Sequence, residues 1–416
     1  MKIIITAVKM IVIGTLLLTM NGCVKDTCHQ LHTYSYNVPV YRTTAEVRAN
    51  LKSGPATDLK SPGKIVTLGQ YIFLNEVNKG IHVIDNSNPS APHNIAFIDI
   101  PGNVDLAIKG NTLYADLYTD LVIMDISDPQ NVTTSKIVEG VFPDRSYGTG
   151  FSPDRSLVIH DWVVRDTTIE ENCQTELAPG GLFDSMASGN GIAKTATIGI
   201  TGSMSRFAIA GNYLYTVSSP DLNVFDISNA HDPAFMNKIH VDWHVETIFP
   251  FKNTLFVGSN NGMFMYDILS SPSHPNNVGQ FTHARSCDPV IADNRYAYIT
   301  LHSGSSCEAF NNELDVVQLN NLSDAQLVKT YAMTSPHGLS KDGNLLFLCD
   351  GIAGLKIYDA SNVQNLQLLK QFSGIETFDI IANNSIALVV AKDGLYQYGY
   401  ASINNIHLLS KLPIVN

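Results

Sequence analysis

Apolar and polar positions alternate in short runs along most of the chain, the pattern of strands with one or both faces covered. One run keeps returning: IHVIDNSNP from 81, LVIMDISDP from 121, LNVFDISNA from 222, MFMYDILSS from 263 and LKIYDASNV from 355. Each copy is an apolar strand that closes on Asp and then turns through Ser, Asn or Pro. Between 104 and 138 four such strand signals follow one another, VDLAIKG, NTLYADL, LVIMDIS and VTTSKIV, joined by Gly-Asn or Asp-Pro turns. Related first pairs recur in FAIAGNYLYTV from 207, TIFPFKNTLFVG from 247 and GLSKDGNLLFLCD from 338.

Aligning on the closing Asp gives Asp85, Asp125, Asp166, Asp226, Asp267, Gln318, Asp359 and Gly399, with gaps of 40, 41, 60, 41, 51, 41 and 40 residues. Four-stranded units at this period cannot bury a core singly, and stacking them in a ring gives a β-propeller. The spacing predicts an all-β chain of eight blades, with seven as the alternative. An Asp before Ser-x-Pro accepts backbone N–H bonds and fixes the turn, so the repeated Asp residues read first as structural.

On the strand LVIMDISDP and its relatives the chain resembles the LVIVD-repeat family of bacterial proteins over roughly residues 64–416, with Gln318 and Gly399 departing from the closing Asp. The resemblance implies a cell-surface or periplasmic propeller and brings no agreed reaction, substrate or catalytic residue.

Residues 1–22 read as a signal peptide: Lys2 and Lys9 precede the apolar MIVIGTLLLTM, and Gly22-Cys23 closes the segment. The ending resembles a lipoprotein box with Cys23 as the lipidated residue, although Met20 and Asn21 depart from its usual pattern. Residues 23–63 are then a tether and lead-in, with one short helix in AEVRANLK at 45–52, and 64–416 the propeller. No later apolar run reaches the roughly 20 residues of a spanning helix, so the lipid is the expected membrane attachment, in a bacterial envelope and at its outer membrane, periplasmic or surface-facing.

Acidic residues outnumber basic ones 38 to 26, and loss of Lys2 and Lys9 leaves a balance of −14, which disfavours nucleic acid as a partner. No calcium loop, nucleophile elbow, zinc helix or Walker lysine is present, so neither a metal nor a cofactor is implied.

Propeller connectivity places the links between blades and the loops between second and third strands on one face, where ligands usually enter. Links contribute Asp105, Asp144, Arg145, Asp242, His244, Glu246, Arg285, Asp288, His337 and Glu376. Loops add Asp116, Asp120, His160, Asp161, His302 and Asp350. Such a polar ring is the default binding site. It favours a scaffold that binds an envelope protein, peptide or glycan, with Tyr147, Trp162 or Trp243 available for sugar stacking. The competing class is an envelope hydrolase or lyase, with a carboxylate or His as base and Arg145 or Arg285 steadying an anion. Oligomeric state is left open.

Cysteine usage suits an oxidising compartment. Cys287 and Cys307 fall on one face of the same predicted blade and are expected to pair, while Cys349 in LLFLCDG reads as a small buried strand residue. Two insertions depart from the repeat. ENCQTELAPGGLFDSMASGNG is expected to project from the third unit, and SGSSCEAFNNE to overhang the mouth.

Overall fold

The computed structural model describes residues 29–143, 156–172, 200–242, 244–282, 289–303 and 311–415. They fall into two compact units, one of residues 29–40 with 161–172, the other holding the remainder.

The larger unit is a propeller of seven four-stranded antiparallel blades among the described residues, spanning 62–99, 106–138, 207–240, 245–282, 290–332, 339–372 and 377–413. The alternative count is therefore the observed one. In each blade the three inner strands A to C are mostly buried, because neighbouring blades cover both of their faces, whereas the outer strand D is mostly half-buried or exposed. The C–D pair of every blade carries a one-residue register shift near the closing Asp, as at Val83/Ile84, Val224/Phe225 and Ile357/Tyr358. Such a bulge strengthens the twist of the outer strand, and its recurrence marks the blades as copies of one unit. Strand B tyrosines tie blades together: Tyr114 donates to the Ala230 carbonyl and Tyr215 to that of Pro272, both at 2.8 Å.

The closing Asp residues do what their position predicts. Asp85, Asp125, Asp226 and Asp359 each accept the N–H of the Ser two residues on, at 2.7 to 2.8 Å, and Asp267 accepts that of Leu269. Hydrogen bonds hold the five carboxyls below their ordinary range, the Ser228 and Ser270 hydroxyls leading at Asp226 and Asp267 and the backbone N–H leading at Asp85, Asp125 and Asp359. In the fifth blade, which has Gln318 instead, Asn321 caps the turn by accepting from the Ser323 N–H.

The expected unit around Asp166 is not a blade. Leu157–Asn172 is one long strand, paired with His29–Thr43 in a separate two-stranded sheet. LVIHDWVVRDTTIEEN has no Gly or Pro to turn it, so it runs on where a blade would fold back. Its near-repeat spacing from Asp125 is coincidental. The lead-in is likewise more ordered than its polarity suggests. Helix α1 (Thr44–Ala49) opens with a capping box between Thr43 and Glu46, and the short strand Lys52–Gly54 extends the outer edge of the first blade.

Among the described residues no strand is exchanged between the seventh and first blades to close the ring. The innermost strands of the seventh and first blades pack directly, and Gln397 to Asn86 (2.7 Å), Ser410 to Pro89 (2.6 Å) and Val415 to Leu59 (2.9 Å) form a clasp. Among the described residues no helix is long and apolar enough to cross a membrane. The Gly/Ser-rich insertion from Cys173 onward, Cys23, Cys28 and the Cys287–Cys307 pair lie outside the described residues. The second insertion lies between strands Tyr296–Leu301 and Glu313–Gln318 of the fifth blade, and its centre is also outside them.

Candidate functional site

Strand A of each blade faces the axis, and strand pairing fixes the equivalent apolar residue in each: Ile65, Leu106, Phe207, Ile248, Val290, Leu339 and Ile380. The residue before each is Lys64, Asp105, Arg206, Thr247, Pro289, Gly338 and Asp379. Going round from the seventh blade through the first to the third, the charges alternate: Asp379, Lys64, Asp105, Arg206. Opposite charges in neighbouring blades oppose the cost of taking each from water.

Residues 200–206 occupy the centre of this ring. Ile200–Thr201 pairs with strand A of the first blade, and Thr201, Ser203 and Ser205 are buried. The Ser203 hydroxyl oxygen accepts the Leu339 N–H at 2.7 Å, and the Ser205 carbonyl accepts that of Ile248 at 2.9 Å. Asp105 takes the Ser205 hydroxyl at 3.1 Å and the Arg206 N–H at 2.6 Å. The chain thus crosses the axis and is tied to the first, second, fourth and sixth blades before entering the third.

At its closest approach to the seventh blade stands Asp379. A β-carbon on Gly202 or on Gly338 would collide with its carboxyl, so both glycines are required by close approach. The N–H groups of Ser203 and Ile380 lie against the carboxyl, yet neither oxygen completes a well-formed hydrogen bond. Burial pushes its pKa up to about 7, although Lys64 opposes the shift. The space bounded by Lys64, Asp105, Thr201, Ser205 and Asp379 has no room for a water molecule. At this level the described residues fill the axis.

The expected mouth residues divide accordingly. Asp105 and Asp350 are placed inside, not on the rim. Asp350 is fully buried, accepts the N–H groups of Thr334 (2.9 Å) and Ser335 (2.8 Å), and pairs with Lys356 at 2.5 Å. Asp116 holds another link in the same way, accepting from Val104, Asp105 and Asn103 at 2.8 to 2.9 Å. Asp120 binds Arg48 of α1 at 2.7 Å. Glu376 pairs with Lys392 at 2.6 Å, and Asp242 accepts from Asn261 at 2.9 Å.

Several of the expected positions keep access to solvent. His244 is exposed with a φ of 57°. His302 and His337 are half-buried, their rings 4.6 Å apart and edge to face. Burial, reinforced by His302, lowers the pKa of His337 to about 4 and keeps it neutral. Glu246 lies beside the charges of Arg206 and His244, and burial raises its pKa. His160 is half-buried, and Asp161 is an exposed residue of the smaller unit. Asp144, Arg145, Arg285 and Asp288 lie outside the described residues. Among the described residues no three His, Cys, Asp or Glu side chains converge to hold a metal.

Composition hid the axial charges, because Lys64, Arg206 and Asp379 sit in strand A beside apolar residues and carry no motif. The usable signal was register, one residue ahead of a repeated apolar position.

The LVIVD repeat matches the chain four times, at residues 62–97, 102–139, 201–240 and 253–283. These are the first four blades, and the long strand around Asp166 lies outside the matches. No curated protein sequence is significantly similar. Among solved structures, the periplasmic gluconolactonase PpgL of Pseudomonas aeruginosa is similar at 13% identity and a TM-score of 0.54, covering 85% of this chain and 96% of that one. A protein from Lactobacillus plantarum gives 12% and 0.52, with 85% and 97% covered. Sqt1 of Saccharomyces cerevisiae gives 8% and 0.51, with 88% of each chain covered. At such identities the likeness is one of fold.

Proposed function

We propose that this LVIVD-repeat chain is a bacterial envelope lipoprotein, anchored by lipid on Cys23 at the outer membrane, whose propeller is a binding scaffold for a protein, peptide or glycan. The partner is taken at the rim around His244, Glu246, His302, His337 and Glu376. The observation that carries this reading is the filled axis. Residues 200–206, Asp105 and Asp379 occupy the place where a propeller enzyme would need a cleft, and Asp105, Asp116 and Asp350 are already bonded to backbone. A rigid ring with its charges turned inward leaves the rim and loops as the variable, accessible part, which is where binding residues sit on rigid scaffolds.

The hydrolase alternative has one observation in its favour, the neutral His337 against His302, since a neutral imidazole can take a proton. One fold neighbour is a gluconolactonase, and that activity is a candidate for the alternative. Photo-crosslinking in intact cells separates the two. A crosslinker at Glu376 is compared with one at Asn362, in a C–D turn of the opposite face. A discrete adduct from Glu376 alone supports the scaffold. Absence of any adduct, together with His337-dependent turnover of lactones or esters, would replace it with the hydrolase.

A further inference from the structure

The smaller unit is a two-stranded antiparallel arm built from residues 29–40 and 161–172. Its register follows from Thr33 to Thr168 (3.1 Å between hydroxyls) and Ser35 to Asp166 (2.6 Å). Eight of the eighteen large exposed hydrophobic residues among the described ones belong to these 24 residues: Leu31, Tyr34, Tyr36 and Val40 on one strand, Trp162, Val163, Val164 and Ile169 on the other. The exposure is substantial, 70% at Leu31, 66% at Val164 and 47% at Trp162. Such a concentration marks an interaction surface rather than scattered surface apolars.

We infer that this arm docks in the lipid headgroup zone of the membrane, an inference that rests on the lipid-anchor reading of Cys23. Three features select lipid over a protein partner. Strand alternation divides the apolar residues between both faces, with Leu31, Trp162 and Val164 on one and Tyr34, Tyr36, Val40, Val163 and Ile169 on the other, so a partner packed on one face would leave the second exposed. Aromatic Tyr and Trp beside aliphatics is the composition of membrane interface belts. The six residues from Cys23 to His29 span at most about 20 Å, which keeps the arm within reach of the surface holding the lipid.

The open backbone edges of a two-stranded ribbon set the depth. Unpaired N–H and C=O groups are costly in hydrocarbon and are satisfied among headgroups and water. Asp161, Asp166, Glu170 and Glu171 against Arg165 make attraction to anionic lipid no part of the contact, so zwitterionic lipid serves as the probe.

The chain has two tryptophans, Trp162 and Trp243, which makes the arm directly observable. The full-length protein with Trp243→Phe is purified from envelopes, its fold checked by its melting transition, and mixed with phosphatidylcholine vesicles brominated in the upper half of the acyl chain. The expected result is a blue-shifted Trp162 emission that the bromines quench roughly twofold, with protection from aqueous iodide. The wild-type protein and Trp162→Phe, read beside it, assign the quenching to the arm without relying on one variant. A Trp162 open to iodide and untouched by bromine overturns the inference, and shielding from both overturns it in favour of a protein contact. The mass of the N-terminal peptide reports acylation of Cys23 separately. An unmodified Cys23 removes the anchor reading, while the vesicle quench still decides the arm.

Discussion

Replacing Asp379 by Asn removes a buried charge while nearly preserving shape, so the Gly202 and Gly338 contacts survive the change. The carboxyl has an ordinary value of 3.8 in the unfolded chain and about 7 inside the ring. The folded state therefore holds its proton more tightly, and the associated stability, complete below about pH 4, is lost as pH rises to about 7. The difference corresponds to about 4 kcal/mol at 1.36 kcal/mol per pH unit, an upper value because the charges of Lys64 and Asp105 act on the same buried carboxyl. Unfolding entropy of about 2.1 cal/mol/K per residue over a propeller of about 350 residues gives about 0.7 kcal/mol/K, and about 3 kcal/mol of the total falls between about pH 5 and pH 8, so the wild type should lose about 4 °C relative to Asp379→Asn over that range. His337 acts oppositely: its value of about 4 against an ordinary 6.5 makes stability rise with pH between those limits. The wild-type curve alone can thus look flat, and the difference between the two proteins is the informative quantity. Melting temperature by calorimetry at matched scan rate and ionic strength is the assay. Parallel curves for wild type and variant across that range would refute the claim that Asp379 carries a proton inside the folded ring.

Three further outcomes follow from the same contacts. Gly202→Ala drives a methyl into the Asp379 carboxyl and should destabilise by about 2–4 kcal/mol, read by denaturant unfolding; an unchanged midpoint would mean that the axial segment is not held against the seventh blade. Asp116→Ala leaves the Val104 and Asp105 N–H groups and the Asn103 amide buried without their acceptor, a loss of about 3 kcal/mol by the same measurement. Cys349 is fully buried and its thiol is pushed well above the ordinary value by burial, so N-ethylmaleimide should leave its peptide unlabelled in native protein and label it after denaturation.

Blade architecture was legible because each blade repeats its own local chemistry. The alternation of LVIMDIS, the Asp that accepts a Ser N–H and the Gly-Asn turns are all local, and short-range bonds enforce them. Counting by spacing failed at Asp166 because the interval resembled a blade while the four-strand pattern was missing: WVVRD has a closing Asp, but Leu157–Asn172 runs through it as one strand with no Gly or Pro to fold it back. The mouth was legible as a set of loops, while the bonding of its carboxylates was not. Asp116 and Asp350 look like rim carboxylates in sequence, and only the folded links Asn103–Asp105 and Thr334–Ser335 reveal the amides that consume them. Least legible was the axis. Nothing local in TGSMSR says that it crosses between five blades, because its partners Ile65, Asp105, Ile248, Leu339 and Asp379 are scattered over more than 300 residues of chain. Small side chains in that segment acquire their meaning from ring closure: only Gly, Ser and Thr leave backbone and hydroxyl groups close enough to serve several blades at once. The same demand explains how a charged register position survives in a buried ring, since Asp105 is used to anchor Ser205 and Arg206 and is withdrawn from any partner at the mouth.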